Sequence, residues 1–306
     1  MLHLGDEPVL HAADAVRTAR EAGMRFAFVT NNASRTPVVV AQRLTSFGMP
    51  AEPDDVVTSA QAAGRTLAAH LPRGSAVLVV GTEALADEVR GVGMRPVRTV
   101  DEAGAEGPAA VVQGLAPTTS WADLAEAAVA ISAGALWVAG NTDATLPTPR
   151  GPLPGNGAFV AALRLVTGEE PLVSGKPDPS LHQASVERVG ARRPLVVGDR
   201  LDTDVLGAVR GGADSLLVLT GVVGVRELLA APLGSRPTYV SRDLRGLLEP
   251  HPEVEVDGET SRCRAAVAGF DGTQVHGDPV TDDGLRALVA LSWSLTDRGV
   301  LPPPGA

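Results

Sequence analysis

Lysine is nearly absent from this sequence. Of the 26 lysine and arginine side chains in 306 residues, all but Lys176 are arginine. Arginine presents a planar fork, whereas lysine is a compact, rotatable point charge. A site that needs the second geometry is the simplest reason for one exception. Cysteine is as scarce: Cys263 stands alone, which excludes an internal disulfide and fits a small buried residue in a reducing cytoplasm. Aromatic residues make up 3% and the net charge is −10, so a nucleic-acid surface of basic stripes and stacking rings is not expected. No apolar run is long enough for a membrane helix, and the first residues have neither a basic start nor an apolar stretch. His3, His11, His70, His182, His251 and His276 are isolated, without metal-ligand spacing.

The composition, 44% hydrophobic and 20% charged, is that of a chain able to bury a core. Short apolar, β-branched runs alternate with amphipathic stretches that end in glycine, which predicts an α/β protein built on a parallel sheet. Strands are expected at 25–30, 76–81, 109–114, 135–141, 194–199, 215–221 and 237–241. Thr36-Pro37 and Asp178-Pro179 each supply an N-cap and a first-turn proline, for helices closing near Gly48 and Gly190. A proline- and acid-rich linker is expected at 247–257, then a small α+β segment with a strand over 262–269, a helix over 282–298 and a frayed tail from Pro302 on. Trp121, Trp137 and Trp293 read as packing residues.

Three loops carry chemistry, placed where an open α/β sheet puts its sites. In the first, Thr30 offers a hydroxyl, and the backbone N–H groups and amides of Asn31 and Asn32 can cradle an oxyanion. The same letters also make an ordinary polar turn. The second loop is Ser174-Gly175-Lys176-Pro177-Asp178. The third follows the apolar run Leu195-Val196-Val197 and holds Asp199 and Asp204, two carboxylates that can share a hard cation. With so few ligands and water completing an octahedron, Mg²⁺ suits them better than Ca²⁺; alternatively Asp202 or Asp204 caps the helix running to Gly211.

Taken together, the three loops resemble motifs two, three and four of the haloacid dehalogenase (HAD) superfamily, in that order. The nearest likeness is to its class IIA, para-nitrophenylphosphatase-like phosphatases, with a large α/β cap between motifs two and three. Ala139-Gly140-Asn141-Thr142-Asp143 and Pro154-Gly155-Asn156-Gly157 are similar to that branch's cap segment, whereas Ala116 stands where the branch commonly has an aspartate. The resemblance implies a HAD-type core at 1–58 and 172–247, a cap at 59–171, and an appended acetyltransferase-like segment at 252–306. It further implies that Thr30 and Asn31 act on the transferring phosphoryl group and that Lys176 neutralises its charge. Asp199, with Asp204 behind it, would hold Mg²⁺; Asn32, Asn141 and Asp143 would lie near the substrate, although Asn141 and Asp143 read equally as turn residues. The implied partner is a small phosphorylated metabolite, glycerol phosphate or a related polyol or sugar phosphate. A cytoplasmic location and a homodimer through the cap accompany it.

The family's Asp-x-Asp-Gly nucleophile motif does not precede Thr30. Leu2-His3-Leu4-Gly5 resembles the stretch that follows the motif, so Met1 falls just after its Asp-Gly. The expectation is an internal start, with the nucleophile upstream of Met1. The alternative is an inactive phosphate-binding protein. Phe270-Asp271-Gly272-Thr273 imitates the motif with Gly269 in the nucleophile's place; a hairpin turn explains the same letters.

Overall fold

The computed structural model describes residues 2–4, 7–148 and 150–302. Met1, Gly5 and Asp6 of the expected motif continuation, and the tail 303–306, lie outside the described residues. The described chain divides into two compact units.

One unit comprises 26–46 and 50–190. Its centre is a five-stranded, all-parallel sheet in the order Leu172–Val173, Leu136–Ala139, Ala110–Gln113, Ala76–Val80, Arg95–Val97. Side chains on a strand alternate between faces, and two cores follow from that period. Val77, Val79, Val112 and Val138 meet Ala60, Ala63 and Leu67 of helix Ser59–His70 and Leu85 and Val89 of helix Glu83–Gly91. Leu78, Val80, Val111 and Trp137 meet Ala127, Ala130 and Ile131 of helix Trp121–Ser132 and Val160 and Leu163 of helix Asn156–Thr167. A parallel sheet covered on both faces explains why its strands read as unbroken apolar runs. Trp137 packs as expected, its Nε1 donating to Gln113 Oε1 at 3.1 Å, but Trp121 is 83% exposed at the start of its helix. A separate parallel pair joins Phe28–Thr30 to Val56–Thr58.

The other unit comprises the described residues of 1–25, 47–49 and 191–306. It holds a three-stranded parallel sheet, Leu195–Gly198, Asp214–Val218 and Tyr239–Ser241. It also holds a four-stranded antiparallel sheet formed by Glu255–Asp257, Thr260–Cys263, Ala266–Phe270 and Val275–His276. The expected single strand over 262–269 is two strands, turned by Arg264 at φ 53°. The expected linker is shorter, because Glu255–Asp257 already pairs with 260–262. Helix Asp282–Asp297 packs on both sheets. Its Leu285 and Val289 share a core with Val205, Leu217 and Val240, while Leu288 and Leu291 share one with Cys263 and Ala268. Buried Arg286 reinforces the junction, with Nε donating to the Val240 carbonyl at 3.2 Å and Nη1 donating to Asp283 at 3.0 Å. By packing, 252–306 groups with 191–247, and the loop of Thr30 groups with 59–171.

Candidate active site

Thr30 ends its strand half-buried, and its Oγ1 accepts the Asn32 N–H at 3.1 Å. Asn32 Oδ1 accepts both the backbone N–H and the hydroxyl of Ser34 at 2.7 Å. This side chain holds the turn open with its carbonyl oxygen and leaves its NH₂ for other partners.

Asn31 is tied in more tightly. Its carbonyl accepts from Ser59 Oγ and from Asn141 Nδ2, both at 2.7 Å. Its side-chain Oδ1 accepts the Lys176 N–H at 2.8 Å, and its Nδ2 donates to the Lys176 carbonyl at 3.2 Å and to the two Asp143 carboxylate oxygens at 3.3 and 3.2 Å. Residues far apart in the chain, 31, 141, 143 and 176, thus meet around one amide. Glycine makes the approach possible: a Cβ on Gly175 would lie 2.2 Å from the Gly140 carbonyl oxygen and 2.8 Å from Asn31 Oδ1. Lys176 itself is half-buried, at a cis Lys176–Pro177 peptide, just ahead of helix Pro179–Val189. Asp178 caps that helix through Ser180 N at 2.9 Å, and Gly190 closes it in the left-handed conformation.

Asn141 is only 5% exposed, with its Oδ1 accepting the Asp143 N–H at 3.1 Å while its Nδ2 holds Asn31. Beneath it Asn156, 1% exposed, donates to the Asn141 carbonyl at 2.6 Å. The sequence reading singled out neither Asn156 nor Ser59. The signal for the first was Gly155-Asn156-Gly157, since a Cβ on Gly155 or Gly157 would lie 2.2 Å from Asp143 O or 2.3 Å from Thr142 O. Two such glycines mark a segment pressed against another backbone.

In the other unit, the strand Leu195–Gly198 delivers Asp199 to its C-terminal end, and a π-helical turn, Leu201–Val205, follows. Asp204 is 6% exposed and its Oδ2 accepts the N–H groups of Asp199 at 3.3 Å and Arg200 at 3.2 Å, so it fixes the turn that presents Asp199. Asp199 Oδ2 accepts the Val222 N–H at 3.0 Å. Both carboxylates sit against glycine: a Cβ on Gly198 would lie 2.2 Å from Asp204 Cβ, and one on Gly221 would lie 1.8 Å from Asp199 Oδ2. Among the described residues no group of three or more His, Cys, Asp and Glu side chains is placed to hold a metal. Two carboxylates on one turn, with water as the remaining ligands, suit a small hard cation that retains much of its hydration, as Mg²⁺ does. Asp271, by contrast, lies in the hairpin turn between 266–270 and 275–276.

The haloacid dehalogenase-like hydrolase family matches residues 1–95, and a HAD-hydrolase-like family matches 173–247. The chain is 49% identical over 290 residues to D-glycerol 3-phosphate phosphatase of Mycobacterium tuberculosis, covering 91% of this chain and 80% of that protein. The crystal structure of the M. tuberculosis glycerol phosphate phosphatase with magnesium superposes with a TM-score of 0.84 at 45% identity, over 99% of this chain and 89% of that one. The 4-nitrophenylphosphatase of Thermotoga maritima superposes with a TM-score of 0.72 at 29% identity, over 80% and 91%.

Proposed function

The chain belongs to the haloacid dehalogenase-like hydrolases, and from that membership we propose how its residues divide the work. It is a Mg²⁺-dependent phosphatase of small phosphomonoesters, of the para-nitrophenylphosphatase-like branch. Within that class glycerol phosphate is the favoured substrate, on the likeness to a D-glycerol 3-phosphate phosphatase. The observation that carries the assignment of residues is the convergence of the Thr30 loop on the single lysine through Asn31.

Whatever group attacks, phosphoryl transfer needs its equatorial oxygens neutralised and its geometry held. Lys176 supplies the mobile positive charge, Thr30 a hydroxyl, and Asn32 an amide donor. Asn31 orients the lysine segment. Asn141 and Asp143 shape the wall beside it; because the Asn141 amide already serves Asn31 and Asp143, its role is positioning. Asp199 would hold Mg²⁺, with Asp204 fixing its turn. A bound Mg²⁺ supplies charge stabilisation at the phosphoryl oxygens. The residues 59–171 serve as the substrate-selecting cap, flanked by a catalytic core at 1–58 and 172–247.

Asp199→Asn is expected to lower kcat/KM for para-nitrophenyl phosphate at least about a hundredfold and to flatten its dependence on added Mg²⁺. Unchanged Mg²⁺ dependence removes the metal assignment. The alternative, a phosphate-binding protein without turnover, is separated by a binding measurement. Phosphate and Mg²⁺ binding by calorimetry, with no hydrolysis, establishes that reading instead.

The proposal extends to assembly and location. Helix Asn156–Thr167 turns Ala158, Ala161, Ala162, Leu165 and Val166 to solvent without a charge among them, and Leu165 is 88% exposed. Such a face favours a second copy of the chain, a homodimer through the cap. Sedimentation that finds only monomer at all concentrations refutes it. No described helix is long and apolar enough to cross a membrane. A cytoplasmic location agrees with the one cysteine, buried and unpaired.

A further inference from the structure

We propose that a relay of buried amides, Asn156 to Asn141 to Asn31, sets the position of Lys176, with Asp143 locking its orientation, so that Asn31 acts as a positioning residue. The proposal rests on the reading of Lys176 as the phosphoryl-facing cation.

The links are short and successive. Asn156 Nδ2 donates to the Asn141 carbonyl at 2.6 Å, Asn141 Nδ2 donates to the Asn31 carbonyl at 2.7 Å, and Asn31 Oδ1 accepts the Lys176 N–H at 2.8 Å. Each step passes between a side-chain amide and a backbone group, so a shift of one segment is carried to the next. Asn156 stands at the start of the helix behind the hairpin 145–154, whereas Asn31 follows the strand of Thr30. The wall of the cap is thereby connected to the lysine through protein groups buried or half-buried throughout.

Orientation is the second requirement. An asparagine amide has an acceptor end and a donor end that are nearly the same shape, so only its partners decide which way it points. Around Asn31 the Lys176 N–H can only donate, while the Asp143 carboxylate and the Lys176 carbonyl only accept. A flipped amide would set NH₂ against N–H and oxygen against carboxylate. Asp143 therefore leaves the Asn31 amide one arrangement.

This chain offers a direct probe. Because Lys176 is its only lysine, ¹⁵N-lysine labelling of the whole protein gives one backbone amide signal, the N–H that Asn31 accepts. Asn31→Asp keeps that acceptor but removes the donor facing Asp143 and sets two carboxylates against each other. It is expected to speed hydrogen exchange at Lys176 at least about tenfold and to lower kcat/KM for glycerol phosphate by a similar factor. Adding Asp143→Asn restores the donor–carboxylate pair in exchanged places but not the donor to the Lys176 carbonyl, and is expected to recover at least about threefold of the loss in both quantities. Asn156→Ala, two links away, is expected to shift the Lys176 signal without touching it.

Rescue is what a general loss of stability does not give. If the double variant is no better than Asn31→Asp alone, or if Lys176 exchange is the same in all variants, the relay is overturned. If exchange follows the expected pattern in a protein that hydrolyses no ester, the relay stands and the reading of Lys176 as a catalytic cation falls.

Discussion

The strands Ala76–Val80 and Leu195–Gly198 come from the same kind of sequence, a short apolar run rich in valine, yet they fare differently. The first is buried at every position. The second leaves Leu195 40% exposed, with Val196 and Val197 half-buried. Neighbours account for the difference. Ala76–Val80 pairs on both sides, with Arg95–Val97 and Ala110–Gln113, and has helices over both faces, whereas among the described residues Leu195–Gly198 pairs only with Asp214–Val218. Among the same residues Phe28–Thr30 pairs only with Val56–Thr58. An apolar run reports the environment a strand is suited to; burial depends on what lies beside it. The strands that deliver Thr30 and Asp199 each have one partner among the described residues.

That contrast predicts unequal costs for equal substitutions. Leu78→Ala removes a fully buried side chain from the five-stranded sheet and is expected to cost about 2–5 kcal/mol. Leu195→Ala, at the open edge, is expected to cost less than about 1 kcal/mol. Urea unfolding of the two variants, followed by far-UV circular dichroism, checks this. Equal shifts in midpoint would mean that the strand before Asp199 is as enclosed in solution as the one at the centre of the larger sheet, and the comparison would fail.

Local chemistry was legible in the sequence, and distant pairing was not. Thr36-Pro37 and Asp178-Pro179 announced helix starts because an N-cap and its first turn lie within a few residues; both helices begin where expected, and Thr36 and Asp178 accept from Val39 and Ser180. The apolar runs placed the parallel strands for the same reason. Arg264 broke an expected strand without a glycine or proline to mark it, because its φ of 53° is imposed by the pairing of 260–263 with 266–269. Lys176, Asp199 and the Thr30 loop could be named as candidates from residue type and order, and their roles remain those of the proposal. The clasp of Asn31 on Lys176 spans 145 residues, and Asn156 acts through a carbonyl, so neither leaves a mark in spacing. Only glycines pressed against backbone, at 155, 157 and 175, hinted at the closeness. Distant packing again left no mark at helix Asp282–Asp297, whose Leu285 and Val289 fill the core beneath Asp214–Val218 and Tyr239–Ser241.

The hairpin at Asp271 gives the mildest test, on a turn held by neighbours in sequence. Asp271 Oδ1 accepts the N–H groups of Gln274 at 2.9 Å and Thr273 at 2.8 Å, and its Oδ2 meets His276 Nε2 at 2.5 Å. The Gln274 N–H, then His276, then the Thr273 N–H favour the charged carboxylate and hold its pKa down to about 2, from 3.8. A depressed carboxylate stabilises the fold above its unfolded pKa and loses that contribution as pH falls through the folded value. Order in the turn is therefore complete above about pH 4 and declines towards pH 2. Amide exchange at Thr273 and Gln274, followed across that window and corrected for the intrinsic pH dependence, is expected to show protection falling in the original chain and nearly constant in Asp271→Asn, which stays neutral throughout. The same decline in both would show that acid opens the turn through the rest of the unit, and that the local hydrogen bonds contribute little on their own.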